Sequence, residues 1–302
     1  MGNVSLLMNQ IIMMLIIACA GLFLRKIGVL TDAVIKGINK TLLTVATPAM
    51  IIMVTQKDYR PDMMRGFAQV ILVGLAAMSI CIAVMFIAYS RGDRSKYRPV
   101  TAMLSAMPNA GYMGLPVIQA VYGDEGTLFV AAYIVAFNIV SWTVCTALFT
   151  GFSLKALKGM LNPGFIATII GTLMYVLQIR LPAPLLSTVT QLGNINTPLS
   201  LLLLGARMET LRPKQLLNVH LAIPCAVKLI LLPAVTLIVC RLIGMADLPL
   251  GVAVISTAMP AAAFCQMFAE RYDREITYAS TGVSISTILS LVTLPLVMLM
   301  IG

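Results

Sequence analysis

Two stretches of this sequence combine residues that break a helix with residues that could bind an anion. Ser105-Ala106-Met107-Pro108-Asn109-Ala110-Gly111-Tyr112-Met113 sets a proline, an amide and a glycine inside an otherwise apolar run. Thr257-Ala258-Met259-Pro260-Ala261-Ala262-Ala263-Phe264-Cys265 repeats the central proline 152 residues later. Proline in a helix interior removes a hydrogen bond and crowds the carbonyl one turn earlier. Asn109, Gly111, Gly114 and Pro116 reinforce the first break, so this segment is expected to be two half-helices joined by extended backbone. Half-helix N-termini attract anions, and half-helix carbonyl ends attract cations. A second pair of motifs, Val45-Ala46-Thr47-Pro48 and Ile195-Asn196-Thr197-Pro198, lies 150 residues apart. Taken singly, Pro48, Pro198, Pro233 and Pro295 read as kinks in packed helices. The Pro108 and Pro260 pair reads as a transport site, because symmetric breaks in corresponding spans point to one.

The elements that must hold these motifs are membrane spans. Of 302 residues, 60% are hydrophobic and 11% charged, against about 45–50% apolar and about 25% charged in a soluble domain. Mostly apolar runs of about 20 residues, the length a spanning helix needs, cover 5 to 24, 37 to 56, 66 to 90, 99 to 122, 126 to 151, 160 to 179, 184 to 206, 216 to 243, 248 to 270 and 276 to 301. They are too long, and alternate too little, for barrel strands. The first run has no basic residue before it, with Arg25 and Lys26 following it, the reverse of a signal peptide.

The formal charge of +10 reflects topology. Connections after odd-numbered spans hold fifteen Lys and Arg residues (Arg25, Lys26, Lys36, Lys40, Arg91, Arg94, Lys96, Arg98, Lys155, Lys158, Arg207, Arg212, Lys214, Arg271 and Arg274). Those after even-numbered spans hold five: Lys57, Arg60, Arg65, Arg180 and Arg241. The bias places the odd connections in the cytoplasm and both termini on the outer side of a cell membrane. No solvated segment is long enough to fold as a nucleic-acid-binding domain. The six cysteines, Cys19, Cys81, Cys145, Cys225, Cys240 and Cys265, lie in apolar runs without metal-ligand spacing, so they read as small buried residues.

The two motif pairs share nearly one offset, which makes the chain a repeat of five spans, residues 1–151 and 152–302. An odd number of spans per repeat forces the second half to enter the membrane from the opposite side, the inverted repeat common in secondary transporters. The expected fold is therefore an all-α membrane protein of ten helices, a 5+5 inverted repeat with broken, crossed helices 4 and 9.

One basic residue, Lys228, falls in the middle of span 8. An intramembrane charge must be paired, so Lys228 is either a partner for an anionic substrate or a neutraliser of the carbonyl ends of the broken helices. All eleven acidic residues lie at or beyond span ends, leaving no midplane carboxylate as a proton relay. Sodium could bind through backbone carbonyls and neutral side chains, with Glu270 as the nearest fallback ligand. Asn194, Asn196 and Thr197 form a polar cluster beside Pro198; Asn194 reads as helix-packing glue, and Asn196 and Thr197 remain candidates for an ion or gate site. His220 is expected at the headgroups, and Trp142 carries no functional signal.

The stretch Pro108-Asn109-Ala110-Gly111-Tyr112-Met113-Gly114-Leu115-Pro116 resembles the fourth-helix motif of the auxin efflux carrier family, whose bacterial members are often described as malate, malonate or general permeases. The resemblance extends to length, span number, Thr47-Pro48 in span 2 and the Pro260 break. It implies a scaffold domain of spans 1, 2, 6 and 7, a transport domain of spans 3–5 and 8–10, small carboxylate substrates, elevator-like alternating access, and a homodimer through spans 2 and 7. It implies that Asn109 contacts the carboxylate, with Pro108, Gly111, Tyr112, Asn138, Thr47, Pro260, Ala261 and Lys228 as further candidates for the site. Span 9 departs from the pattern of span 4, with Ala261 in place of an asparagine, so the halves cannot contribute equally. The long cytoplasmic loop of the plant carriers is missing, which argues for a metabolite anion over auxin.

The leading reading is a secondary carrier of small organic anions needing no cofactor or metal, with sodium or proton coupling open. An anion channel or membrane sensor on the same scaffold is the alternative. An enzyme is disfavoured, because no HExxH or GxSxG motif is present and the single histidine, His220, is not near a plausible nucleophile–base pair. With the native cysteines replaced, single cysteines at Asn3 and Ser95 are expected to label from opposite sides of intact cells, Asn3 from outside. Labelling of both from outside would overturn the orientation.

Overall fold

The computed structural model describes residues 2–151, 163–208 and 219–301. Among them the chain is helical, with no strand. The helices are α1 (Gly2–Lys26), α2 (Asp32–Thr55), α3 (Pro61–Ala88), α4 (Arg98–Ala106), α5 (Leu115–Val140), α6 (Pro163–Val176), α7 (Ala183–Asn194), α8 (Asn196–Met208), α9 (His220–Leu242), α10 (Asp247–Ala258), α11 (Ala263–Arg271) and α12 (Ile276–Ile301). Among the described residues, five segments, Asp32–Thr55, Met63–Ala88, Glu125–Thr150, His220–Leu242 and Ile276–Ile301, are long and apolar enough to cross a bilayer, and α6 and α10 are shorter apolar helices. Large apolar side chains face outward along them, including Leu72, Ile80, Val84 and Ile87 on α3 and Val292, Leu296 and Leu299 on α12. Such stripes at helical spacing suit lipid contact.

Several boundaries differ from the sequence expectation. α2 begins at Asp32 rather than near 37, capped by the Thr31 hydroxyl, which accepts from the Val34 N–H. Its first turns keep Lys36 and Lys40 exposed, so the helix starts before its apolar run. Span 7, expected as one helix, is interrupted at Ile195 into α7 and α8. The helical backbone of Leu115–Val140 is broken at Gly123, at φ 60°, which separates the end of span 4 from span 5. Lys155, Lys158, Arg212, Lys214 and the connection after span 5 lie outside the described residues.

Local geometry follows from the prolines. Three of the four π-helical turns among the described residues, Leu42–Ala46, Ala110–Gly114 and Val227–Leu231, end two residues before a proline: Pro48, Pro116 and Pro233. A proline ring pushes away the carbonyl four residues back and offers it no N–H. Widening the preceding turn relieves both problems. The Thr47 N–H reaches the Leu42 carbonyl, and the Leu232 N–H reaches that of Val227, both five residues back.

The chain divides into two compact units. The first comprises Met1–Arg65, Gly111–Ala131 and Leu161–Thr210. Its helices approach at backbone distance: a Cβ on Gly205 would lie 1.7 Å from the Ala18 carbonyl oxygen, and one on Gly21 would lie 2.0 Å from that of Leu202. Small residues at such crossings let helices pack where no hydrophobic drive exists between them. The second unit comprises Gly66–Ala110, Ala132–Met160 and Leu211–Gly302. Its core includes Met103, Met107, Tyr133, Val252, Val254 and Phe268, none more than 1% exposed.

One side-chain expectation is corrected. Cys19 is exposed, while the other five cysteines are buried, and all six are free. His220 packs its ring against Tyr97, with centroids 5.6 Å apart, and its carbonyl accepts from the Tyr278 hydroxyl at 3.0 Å. Gly205→Leu is expected to cost the fold more than about 3 kcal/mol, the upper range for overpacking, because backbone must move. Thermal unfolding in detergent checks this; an unchanged melting temperature would refute the close approach.

Candidate functional site

The two sequence breaks lie together in the second unit. α4 stops at Ala106, and Met107 is extended at φ −82°, ψ 108°. α10 stops at Ala258, and Met259 and Ala262 are extended at ψ 145° and 144°. The two extended segments pair antiparallel, with Pro108 opposite Ala261. The Asn109 N–H donates to the Pro260 carbonyl at 2.8 Å, and the Ala262 N–H donates to the Met107 carbonyl at 2.9 Å. Each proline thus interrupts its helix and occupies a place in the bridge where no N–H is needed. Backbone groups freed at membrane depth must find partners within the protein, and here each break supplies the other.

A third hydrogen bond comes from α12. The Ser286 hydroxyl accepts the Ala261 N–H at 3.1 Å and donates to the Val283 carbonyl at 2.9 Å. Sequence reasoning missed Ser286, because one serine in an apolar helix carries no signal of the backbone it faces.

Asn109 is 7% exposed, and its side-chain amide has no hydrogen-bond partner among the described residues. α11 begins at Ala263, two residues after the bridge position Ala261, with no side-chain cap hydrogen bond at its start. Phe264, on that first turn, meets Phe137 of α5 edge-on at 5.5 Å and Phe268 at 4.1 Å. Trp142 packs against Phe264 and Phe268 at 6.0 and 5.7 Å, so this lone indole belongs to an aromatic wall.

The other candidates in this unit are placed separately. Asn138 is buried and donates from its amide to the Ile134 carbonyl at 3.0 Å. Glu270 is exposed in the last turn of α11 and accepts from Gln266 at 2.9 Å. Lys228 is fully buried, and its ammonium donates to the Thr257 carbonyl at 2.5 Å. Tyr133, Ser141 and Ser256 keep buried hydroxyls without a partner among the described residues. None of the three was singled out by sequence, since hydroxyls in apolar runs usually bond their own helix. No His, Cys, Asp and Glu grouping among the described residues could hold a metal ion.

In the first unit, Thr47 and Asn196 meet across 149 positions of sequence, the Thr47 hydroxyl donating to Asn196 Oδ1 at 2.9 Å. The Asn196 amide nitrogen donates to Met50 Sδ at 3.4 Å, and the Ser200 hydroxyl donates to the Asn196 carbonyl at 2.5 Å. The motif pair read from sequence is thus a direct contact. Asn194 is exposed, and the Thr197 side chain lies outside the description. Tyr112 packs against Leu42, Ala46 and Leu203. A Cβ on Gly111 would meet nothing within 4 Å, so that glycine borders open space.

The profile of the membrane transport protein family matches residues 6–155 and again 152–298, which together take in nearly the whole chain. The chain belongs to this family. It is the auxin efflux carrier family that the Pro108 to Pro116 motif resembles, and it is a family of transporters, not of enzymes. An uncharacterized transporter of Methanothermobacter thermautotrophicus is 25% identical over 314 residues, covering 98% of this chain and 97% of its own. One of Methanocaldococcus jannaschii is 23% identical over 306 residues, covering 96% and 97%. The chain is thus an integral membrane transport protein.

Ser286→Ala leaves the Ala261 N–H without its acceptor and is expected to lower the unfolding free energy by about 1–3 kcal/mol. Thermal unfolding of the purified protein reads this, and an unshifted transition would show that the bridge does not depend on α12.

Proposed function

We propose that the protein is a secondary carrier of small organic anions, mono- or dicarboxylates, bound at the paired breaks. The observation that carries this reading is the Asn109 side-chain amide, buried and unpartnered at the paired breaks, where the Asn109 backbone N–H bonds the Pro260 carbonyl. The N–H donors of a free amide favour a carboxylate. In this reading the chain has ten spans arranged as a 5+5 inverted repeat, and broken spans 4 and 9 cross at midplane. Two consecutive family matches of similar length support the repeat, and the antiparallel Pro108–Ala261 bridge supports the crossing. Pro108, Pro260, Ala261 and Asn138 belong to the same site.

Alternating access is of the elevator type, with spans 1, 2, 6 and 7 as scaffold and spans 3–5 and 8–10 as the transport domain. The carrier is a homodimer in the cell membrane with both termini outside, and it needs no cofactor. Purified protein melted with a panel of malonate, malate, succinate, lactate and benzoate is expected to be stabilised by at least one of them. Asn109→Ala should weaken that binding by about 1–3 kcal/mol, the usual cost of deleting a buried hydrogen-bond partner. Asn109→Asp, placing a charge against the anion, should abolish transport. Counterflow in proteoliposomes should saturate, as a channel would not. Binding and flux that survive both substitutions would remove the site from Asn109.

A further inference from the structure

We infer that Lys228 is a resident cation of the carrier, standing at the carbonyl end of α10 in place of a bound coupling ion, so that the anion moves without sodium. The inference rests on the carrier reading above. Thr257 is the penultimate residue of α10. Beyond it the chain is extended and Pro260 has no N–H, so the helix leaves carbonyls that no following turn can take up. The Met259 N–H serves the carbonyls of Ile255 and Ser256. The Thr257 carbonyl is taken by Lys228, for which it is the one hydrogen-bond partner among the described residues.

The position of the ammonium is built in. Pro224 lies within the helix before it, Pro233 follows it, and the π turn Val227–Leu231 carries Lys228 between them. The side chain is wholly buried, and no Asp or Glu is buried among the described residues to neutralise it.

The charges then follow from elementary electrostatics. A helix carbonyl end carries about half a negative charge, so α10 balances only part of the ammonium. A fully buried charge tolerates little residual imbalance, and a single carboxylate at the neighbouring break would more than offset the remaining half charge. A sodium ion at the same carbonyls would face the ammonium across a low-dielectric interior and be repelled. Lys228 therefore occupies the electrostatic role of a coupling cation and excludes the ion itself.

The test needs no organic substrate, so its failure is separable from that of the carrier reading. Purified protein in lipid nanodiscs is melted in sodium chloride and in choline chloride at equal ionic strength. Wild type is expected to melt identically in both. Lys228→Ala, which leaves the α10 carbonyls facing a gap, should melt several degrees lower and recover part of the loss with sodium or methylammonium chloride but not with choline. Lys228→Met, which fills the gap with an apolar chain, should not recover with either. A sodium-specific rise in the melting temperature of wild type would overturn the inference even if neither variant folds. So would a Lys228→Ala protein as stable as wild type and indifferent to methylammonium.

Discussion

Everything in the second unit follows from the requirement that backbone polar groups at membrane depth be satisfied inside the protein. Pro108 and Pro260 each end a helix and strip its neighbours of partners. Two hydrogen bonds between the breaks, and a third from Ser286, restore them. The extended backbone is therefore affordable only because there are two breaks and they face each other. Removing one would orphan the other.

The bridge satisfies the backbone and leaves the Asn109 amide unserved. α10 presents its Thr257 carbonyl to Lys228. The Phe137, Phe264, Phe268 and Trp142 rings pack together as an apolar wall.

Much of this was legible in the sequence because it was written in rare residues. Prolines in matched places predict the breaks, and the Thr47 and Asn196 motifs, alike in position, prove to touch. A lysine among apolar residues announces a buried charge, yet spacing alone leaves its partner open between substrate and helix end; the structure places it on Thr257. Ser286 was illegible because its partner is a backbone N–H from a different span. The start of α2 was misjudged because apolar runs mark the bilayer, whereas a helix begins at its cap, here Thr31. Cys19 was misread for a related reason: an apolar run says that a residue faces no water, but not whether it faces protein or lipid.

The central claim is that a carboxylate binds at the paired breaks. The most direct measurement is a crystal structure grown with bromosuccinate, located by the anomalous signal of its bromine. The account predicts a carboxylate within hydrogen-bonding distance, about 3 Å, of the Asn109 amide, with the bromine peak in the same pocket. An anomalous peak elsewhere in the chain, with the Asn109 amide still unpartnered, would contradict it.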